Sequence, residues 1–476
     1  MKRILFLGLT ILGLIRTSLA QNVFNPDDPI VRYSSSAAYR TEQKPDSSIP
    51  GISKWVSVST NGVSTGSGSF NNSSYKSYFI YYFGQRLAFR LKFPKSYKDS
   101  VNKKYPVMLF LHGAGEVACP SNGGIYNNEK QLVHGGKFFM DKVDNGEFDG
   151  FILNPQYRSQ DATCWGAWGQ GKNAWYNTII AILDSINTHA RADIDRVFVD
   201  GLSGGGAGTW NIASEYPTRI AKIAPTSSAG YSPYKYPGFV HIPVWLATGG
   251  LDGDPSPAMA ANSVFQVRNL GGNIRQSLYP DLGHSSWNRH WAEPDFIPFM
   301  NDMHKANPLV FFQRYEFCPD SAINVKIGIT PGFYGYEWEK DGVLIARRTG
   351  TVNTIVNGTS IISYTGNDIT VRSLGTYRVR FQRVLNGPWS DWSPNPAVIK
   401  SKTVTQTPPI EVVGLNSRTL PALNGKTSVQ LQMPPGFINY QWFRTSDNVQ
   451  VSAGQVYEAP VGTYKARYSE PFGCGT

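Results

Sequence analysis

Ser203 stands in the run Gly201-Leu202-Ser203-Gly204-Gly205, with a small residue two positions before it and two after. A serine hydroxyl is a weak nucleophile until a base takes its proton and a carboxylate orients that base. Both groups follow along the chain. Asp252 and Asp254 fall in the loop after the apolar run Val244 to Ala247, and His284 closes Tyr279-Pro280-Asp281-Leu282-Gly283-His284. Asp252 stands nearer the strand end and is preferred to Asp254 as the acid, while Asp281 reads as a turn residue. Among seven histidines, only His284 follows a strand-like run and a glycine at the right distance after the acid loop. His290 and His304 read as surface or packing residues, and His112 as one that shapes its own loop. Attack on a carbonyl charges its oxygen, which needs preorganised N–H donors. Gly204, at a helix start, would supply one donor. Ala114, in His112-Gly113-Ala114-Gly115, would supply the other.

These groups can meet only if a scaffold delivers them to one edge. Pro106 to Leu111 is apolar on both faces, as suits a buried strand covered by helices. Strand-like runs also occupy Tyr78 to Tyr82, Arg86 to Phe93, Gly150 to Leu153, Arg196 to Val199, Ile220 to Ala224 and Val244 to Ala247. Helical patterns occupy Ala174 to Ile186, Ala207 to Glu215 and Ala258 to Leu270. Strand and helix in alternation imply a doubly wound, mostly parallel α/β sheet over 76–308. An irregular lead-in rich in Ser, Asn and Gly is expected over 21–75.

Beyond Pro308 the texture changes to short β-prone runs broken by Gly and Pro. Pro331-Gly332-Phe333-Tyr334-Gly335-Tyr336-Glu337-Trp338 is echoed by Pro435-Gly436-Phe437-Ile438-Asn439-Tyr440-Gln441-Trp442. Gly375-Thr376-Tyr377 is likewise echoed by Gly462-Thr463-Tyr464. Two copies of one β unit are the simplest account. The Tyr-x-Trp strand followed by a Gly-Thr-Tyr strand resembles an immunoglobulin-type sandwich without its cysteine pair. One module is expected over 309–402 and a second over 409–476, incomplete where the sequence stops, as in a fragment of a longer protein. Trp389-Ser390-Asp391-Trp392-Ser393 resembles the WSxWS box of cytokine-receptor modules, and an aromatic ladder on a late strand is the expected reading.

Leu111-His112-Gly113-Ala114-Gly115-Glu116, Pro155-Gln156-Tyr157, the Ser203 turn and Gly283-His284-Ser285-Ser286-Trp287 occur in that order. Together they resemble the α/β-hydrolase superfamily, in the esterase branch of feruloyl and acetylxylan esterases, polyhydroxybutyrate depolymerases and related predicted peptidases. The resemblance spans about Arg86 to His304. It implies Ser203, Asp252 and His284 as a triad, a secreted esterase of plant polysaccharide, and no metal or organic cofactor. A polyester depolymerase, a peptidase, and an adhesion or carbohydrate-binding protein with an inert hydrolase domain are the rival readings. Glu116 is a family-like feature whose default role is a loop contact. Trp165, Trp168, Trp287 and Trp291 fall in loops at the substrate-binding edge expected of open α/β sheets. Aromatic faces suit sugar rings or aryl acids, and Trp165 and Trp287 are the preferred substrate-binding residues because they adjoin Cys164 and follow His284 respectively.

The first twenty residues read as a signal peptide: basic Lys2 and Arg3, an apolar stretch from Ile4 to Ile15, and Ser18-Leu19-Ala20 before a cleavage site. Export follows, with no membrane span once the segment is removed. Three of the charges behind the formal net +11, those of Lys2, Arg3 and Arg16, lie in that segment. The rest are scattered, which argues against a nucleic-acid partner. Of four cysteines, Cys119 and Cys164 both fall in loops of the α/β region and are the favoured disulfide. Cys318 and Cys474 have no obvious partner. The β modules are candidates for glycan or cell-surface contact.

Overall fold

The computed structural model describes residues 23–28, 30, 41–43, 51–57, 74–82, 84–122, 124, 128–159, 164–166, 168–230, 236–318, 321–356, 359–364, 366–402, 409–413, 420–421 and 425–469. The expected signal segment and Cys474 lie outside the described residues. The chain divides into two compact units, one of residues 1–306 with 330–333, the other of 307–329 with 334–476.

The first unit is built on a ten-stranded sheet: β1 Thr41–Gln43, β2 Ile52–Ser57, β3 Lys76–Tyr82, β4 Gln85–Lys92, β5 Tyr105–Leu111, β6 Phe151–Gln156, β7 Ala192–Leu202, β8 Lys222–Thr226, β9 Val244–Gly249 and β10 Ile274–Tyr279. Its order is β1-β2-β3-β4-β6-β5-β7-β8-β9-β10. The strands from β6 to β10 in that order are parallel, and β1 to β4 form an antiparallel meander joined to β6. The β5–β6 ladder stops at Leu153, before Pro155, which has no N–H to give a ladder.

Side chains alternate between two cores. Val107, Leu109 and Leu111 of β5, Val197 and Val199 of β7 and Leu246 of β9 enter one; Met108, Phe110, Phe198 and Trp245 enter the other. Helices α2 (Ala174–His189), α3 (Gly204–Glu215) and α5 (Pro257–Asn269) contribute to the first core. Helices α1 (Gly136–Asp144), α6 (Trp287–Trp291) and α7 (Phe296–Asn301) contribute to the second, while α4 (Tyr236–Phe239) is a single turn. Each buried Leu or Phe of these strands contributes about 1.5–3 kcal/mol, so a sheet apolar on both faces needs both layers.

The lead-in is not wholly irregular. β1 and β2 extend the sheet, and Phe24 packs edge-on against Tyr78 with ring centroids 5.2 Å apart. These strands escaped the sequence reading because an edge strand needs only one apolar face and this segment is dominated by Ser and Asn.

The second unit is all β among the described residues apart from a short 3-10 turn. Its first part holds a three-stranded sheet (Leu309–Val310, Val325–Gly328, Asp368–Val371), a five-stranded one that includes Gly335–Lys340 and Gly375–Gln382, and a two-stranded one of Thr351–Val356 with Thr359–Tyr364. Its second part holds two three-stranded sheets, one with Ser428–Gln432 and Val456–Pro460, the other with Ile438–Arg444 and Tyr464–Ser469. Trp338 and Trp442 are buried, and their indole N–H groups donate to the carbonyls of Gly366 (2.8 Å) and Gly454 (2.9 Å). Tyr377 and Tyr464 donate to the carbonyls four residues upstream, Ser373 at 2.8 Å and Pro460 at 3.1 Å. Arg380 lies 5.4 Å from the Trp389 ring and 4.7 Å from the Trp392 ring. Ser390 and Ser393 accept from the backbone N–H groups of Phe381 and Val379. Cys318, left without a partner in the sequence reading, is disulfide-bonded.

Candidate active site

Ser203 sits between the end of β7 and the start of α3 with φ 54° and ψ −119°, in a left-handed conformation that a side chain rarely adopts. The turn holds because its neighbours are small. A Cβ on Gly201 would stand 2.4 Å from the Gly205 carbonyl oxygen, and one on Gly205 would stand 1.9 Å from the Leu111 carbonyl oxygen. A serine at a helix N-cap ordinarily accepts a hydrogen bond from the first turn, yet Ser203 makes no such bond. Its Oγ lies instead 2.8 Å from His284 Nε2.

The other side of the imidazole meets Asp252. His284 Nδ1 is 2.9 Å from Asp252 Oδ2 and 3.1 Å from Oδ1, and the Asp252 side chain is almost wholly buried. Asp254, the alternative acid, gives its backbone N–H to Asp252 Oδ1 at 3.1 Å. Asp281 pairs with Arg289 at 2.7 Å. The acid loop follows β9 and the histidine loop follows β10, so neighbouring parallel strands deliver both to the edge where β7 presents Ser203.

Gly204 and Ala114 each open a helical turn, α3 and the 3-10 turn Ala114–Glu116. First-turn N–H groups have no intrahelical acceptor. The two turns abut: a Cβ on Gly204 would stand 3.3 Å from the Ala114 nitrogen. The Ala114 loop is fixed from behind by buried His112, whose Nδ1 donates to the Gly113 carbonyl at 2.7 Å. Its Nε2 accepts from the Tyr157 N–H at 3.0 Å. Burial lowers the His112 pKa to about 4, which matches a neutral ring with one donor and one acceptor nitrogen. Gln156 Nε2 donates to the Glu116 carbonyl at 2.7 Å, and Trp168 Nε1 to the His112 carbonyl at 3.0 Å. The Cys119–Cys164 disulfide, Cα atoms 5.1 Å apart, ties the two loops together.

A serine on a strained strand-to-helix turn, followed along the chain by an acid and a histidine on later strand ends, decides the architecture. This is the α/β-hydrolase fold. No family model matches the chain, and no curated protein does. Among solved structures it is similar to a thermostable esterase at 22% identity, covering 48% of this chain and 63% of that one with a TM-score of 0.40. The chain thus spans less than two thirds of that esterase. It is similar to a ferulic acid esterase at 18% identity, over 47% of this chain and 95% of that one, with a TM-score of 0.38. An acylaminoacyl peptidase of Pyrococcus horikoshii is similar at 12% identity, over 48% and 42%, with a TM-score of 0.36.

The four tryptophans expected on loops of the first unit separate: Trp165 and Trp168 lie on a loop, whereas Trp287 and Trp291 are the first and last residues of α6. Trp168 and Trp291 are buried, and Trp291 Nε1 donates to Asp200 Oδ2 at 2.7 Å. Trp287 is only 8% exposed, its ring edge-on to His284 with centroids 6.1 Å apart, so it offers little face to a substrate. Trp165 is 67% exposed and its ring reaches within 3.9 Å of a Cβ position on Gly115. His290, expected at the surface or in packing, is buried, with Nδ1 2.8 Å from Thr226 Oγ1. His304 is buried and accepts the Ala306 N–H at 3.0 Å.

Sequence reasoning overlooked His134 and Asp200. His134 Nε2 lies 3.5 Å from Glu116 Oε1, and its ring packs on Trp287 with centroids 5.2 Å apart. Burial holds the Glu116 carboxyl above its usual value, against the downward pull of His134 and the Gly113 backbone. Asp200 is buried just before the serine turn, and burial pushes its carboxyl up to about 8. A carboxylate inside an apolar strand run was the available signal for that residue.

Proposed function

We propose that this chain is an exported serine hydrolase that cleaves carboxylic esters, with acetyl or feruloyl esters of plant polysaccharide as its substrates. One observation carries the reading: Ser203 Oγ, His284 and Asp252 form a continuous relay with contacts of 2.8 and 2.9 Å. Ser203 Oγ attacks the ester carbonyl while His284 Nε2 takes its proton, and buried Asp252 holds the ring through Nδ1. The Ala114 and Gly204 N–H groups accept the charge that develops on the carbonyl oxygen. The tetrahedral species then collapses as His284 returns the proton to the leaving alkoxide, giving an alcohol and an acyl-Ser203. Water, deprotonated by the same nitrogen, releases the acid and restores the serine.

Three features support the finer parts of the reading. A disulfide in the hydrolase unit suits an oxidising compartment. Exposed Trp165 beside the Ala114 loop suits a sugar ring or an aryl acyl group. In the second unit, the buried tryptophans and the tyrosines bonded back across the preceding turn support two immunoglobulin-like modules, which would contact glycan or a cell surface.

Covalent labelling with a fluorophosphonate tests the class. Wild type is expected to label at Ser203, and Ser203→Ala and His284→Ala to stay unlabelled while folded. Labelling that survives Ser203→Ala would contradict the reading. Rates on acetylated xylan, methyl ferulate, a short polyester and a peptide panel then rank the substrates.

A further inference from the structure

We infer that Ser227 is a positioning residue for the base, and that Thr226 and Ser227 together set the distance between nucleophile and base. The inference rests on the proposed serine-hydrolase reading. The carbonyl of Thr226, the last residue of β8, accepts the Ser203 N–H at 2.9 Å. The hydroxyl of the next residue, Ser227, donates to the carbonyl of His284. Two consecutive residues therefore hold the backbones of Ser203 and His284.

The bond directions are forced. A carbonyl only accepts, so the single Ser227 hydroxyl proton goes to His284, and the 2.8 Å contact with Ser286 Oγ is a bond that Ser286 donates. The same carbonyl also accepts the Ser286 N–H at 2.9 Å. His284 is thus held at two points, its ring by Asp252 and its backbone by Ser227 and Ser286. The His284 side chain that meets Ser203 is 41% exposed, so packing alone does not fix it.

Ser227 adopts this role at a conformational cost. Its φ is 48°, it is 1% exposed, and its N–H is committed to the Ala247 carbonyl at 2.8 Å. Asn or Gly is the usual occupant of such a backbone position. A strained buried serine whose hydroxyl faces the histidine loop is a residue kept for that hydroxyl.

The test compares Ser227→Gly, which relieves the backbone strain, with Ser227→Ala, which keeps it; both remove the hydroxyl. The measurements are Tm, the fluorophosphonate labelling rate and the kinetics of p-nitrophenyl acetate hydrolysis, all on the full chain. Both variants are expected to lose about tenfold in kcat and in labelling rate, with KM within about twofold, although their Tm values differ. Loss of kcat that tracks Tm, or wild-type kcat in Ser227→Gly, overturns the positioning role. An unlabelled wild type overturns the nucleophile itself, whereas a labelled wild type with unimpaired Ser227→Gly overturns the role of Ser227 alone.

Discussion

The indole N–H of Trp168 donates to the backbone carbonyl of His112 at 3.0 Å. The loop carrying Ala114 is therefore hung from a segment some fifty residues downstream. Trp168→Phe keeps an aromatic ring but loses part of the indole's buried volume and its donor, leaving a buried carbonyl short of a partner at a cost of about 1–3 kcal/mol besides the lost packing. The expected result is a fall in kcat of roughly tenfold with little change in KM, because the loop's N–H acts on charge that appears only in the transition state. Steady-state kinetics on a p-nitrophenyl ester decides it. A rise in KM at constant kcat would place the residue in ground-state binding instead.

The two loop carboxylates make opposite predictions. Asp252→Asn is expected to lower kcat on the order of 10³–10⁴-fold, since the amide no longer holds the imidazole as a carboxylate does. Asp254→Asn should stay within about threefold of wild type, because Asp254 meets the relay only through its backbone N–H.

Much of this arrangement is legible in the chain. Tyr-Pro-Val-Met-Leu-Phe-Leu, buried at every position, can hardly be anything but an interior strand. The glycines around Ser203 announce a turn that tolerates no Cβ. The rest depends on neighbours distant in sequence. Ser227 looks like an ordinary residue, and Trp168 like one loop aromatic among four, until the sheet brings the ends of β5, β8 and β10 to one edge. The same holds for Trp287, whose place after His284 suggests a substrate face but whose ring is enclosed by His134 and the second core. The strand Ile52–Ser57 carries too weak a pattern to stand out, being an outer strand of a sheet whose order is set elsewhere.

Asp200 gives a pH signature. Its folded pKa of about 8 exceeds the ordinary 3.8, so between those values the folded state keeps a proton that the unfolded chain has released. The resulting stability is full below pH 3.8 and is lost as pH rises towards 8, by at most about 1.4 kcal/mol per pH unit. Asp200→Asn carries no such proton. Urea unfolding at pH 5, 6.5 and 8 should therefore show wild type losing ground to Asp200→Asn as pH rises; parallel profiles would mean that Asp200 is not protonated in the folded protein.

Trp165 is the loop tryptophan open to solvent beside the Ala114 turn. Trp165→Ala should raise KM for methyl ferulate by roughly five- to tenfold, the loss of about 1–1.4 kcal/mol of stacking, and leave p-nitrophenyl acetate nearly unchanged. Equal effects on both esters would place the residue outside acyl recognition.

The central claim is that Ser203, activated by His284, carries the acyl group. Rapid mixing with p-nitrophenyl acetate followed by acid quench and peptide mass analysis tests it most directly. The account predicts a burst of nitrophenol approaching one equivalent and a single acetyl mass increment on the peptide containing Ser203, both absent in Ser203→Ala. An acetyl group found on another residue, or a burst that persists in Ser203→Ala, would contradict it.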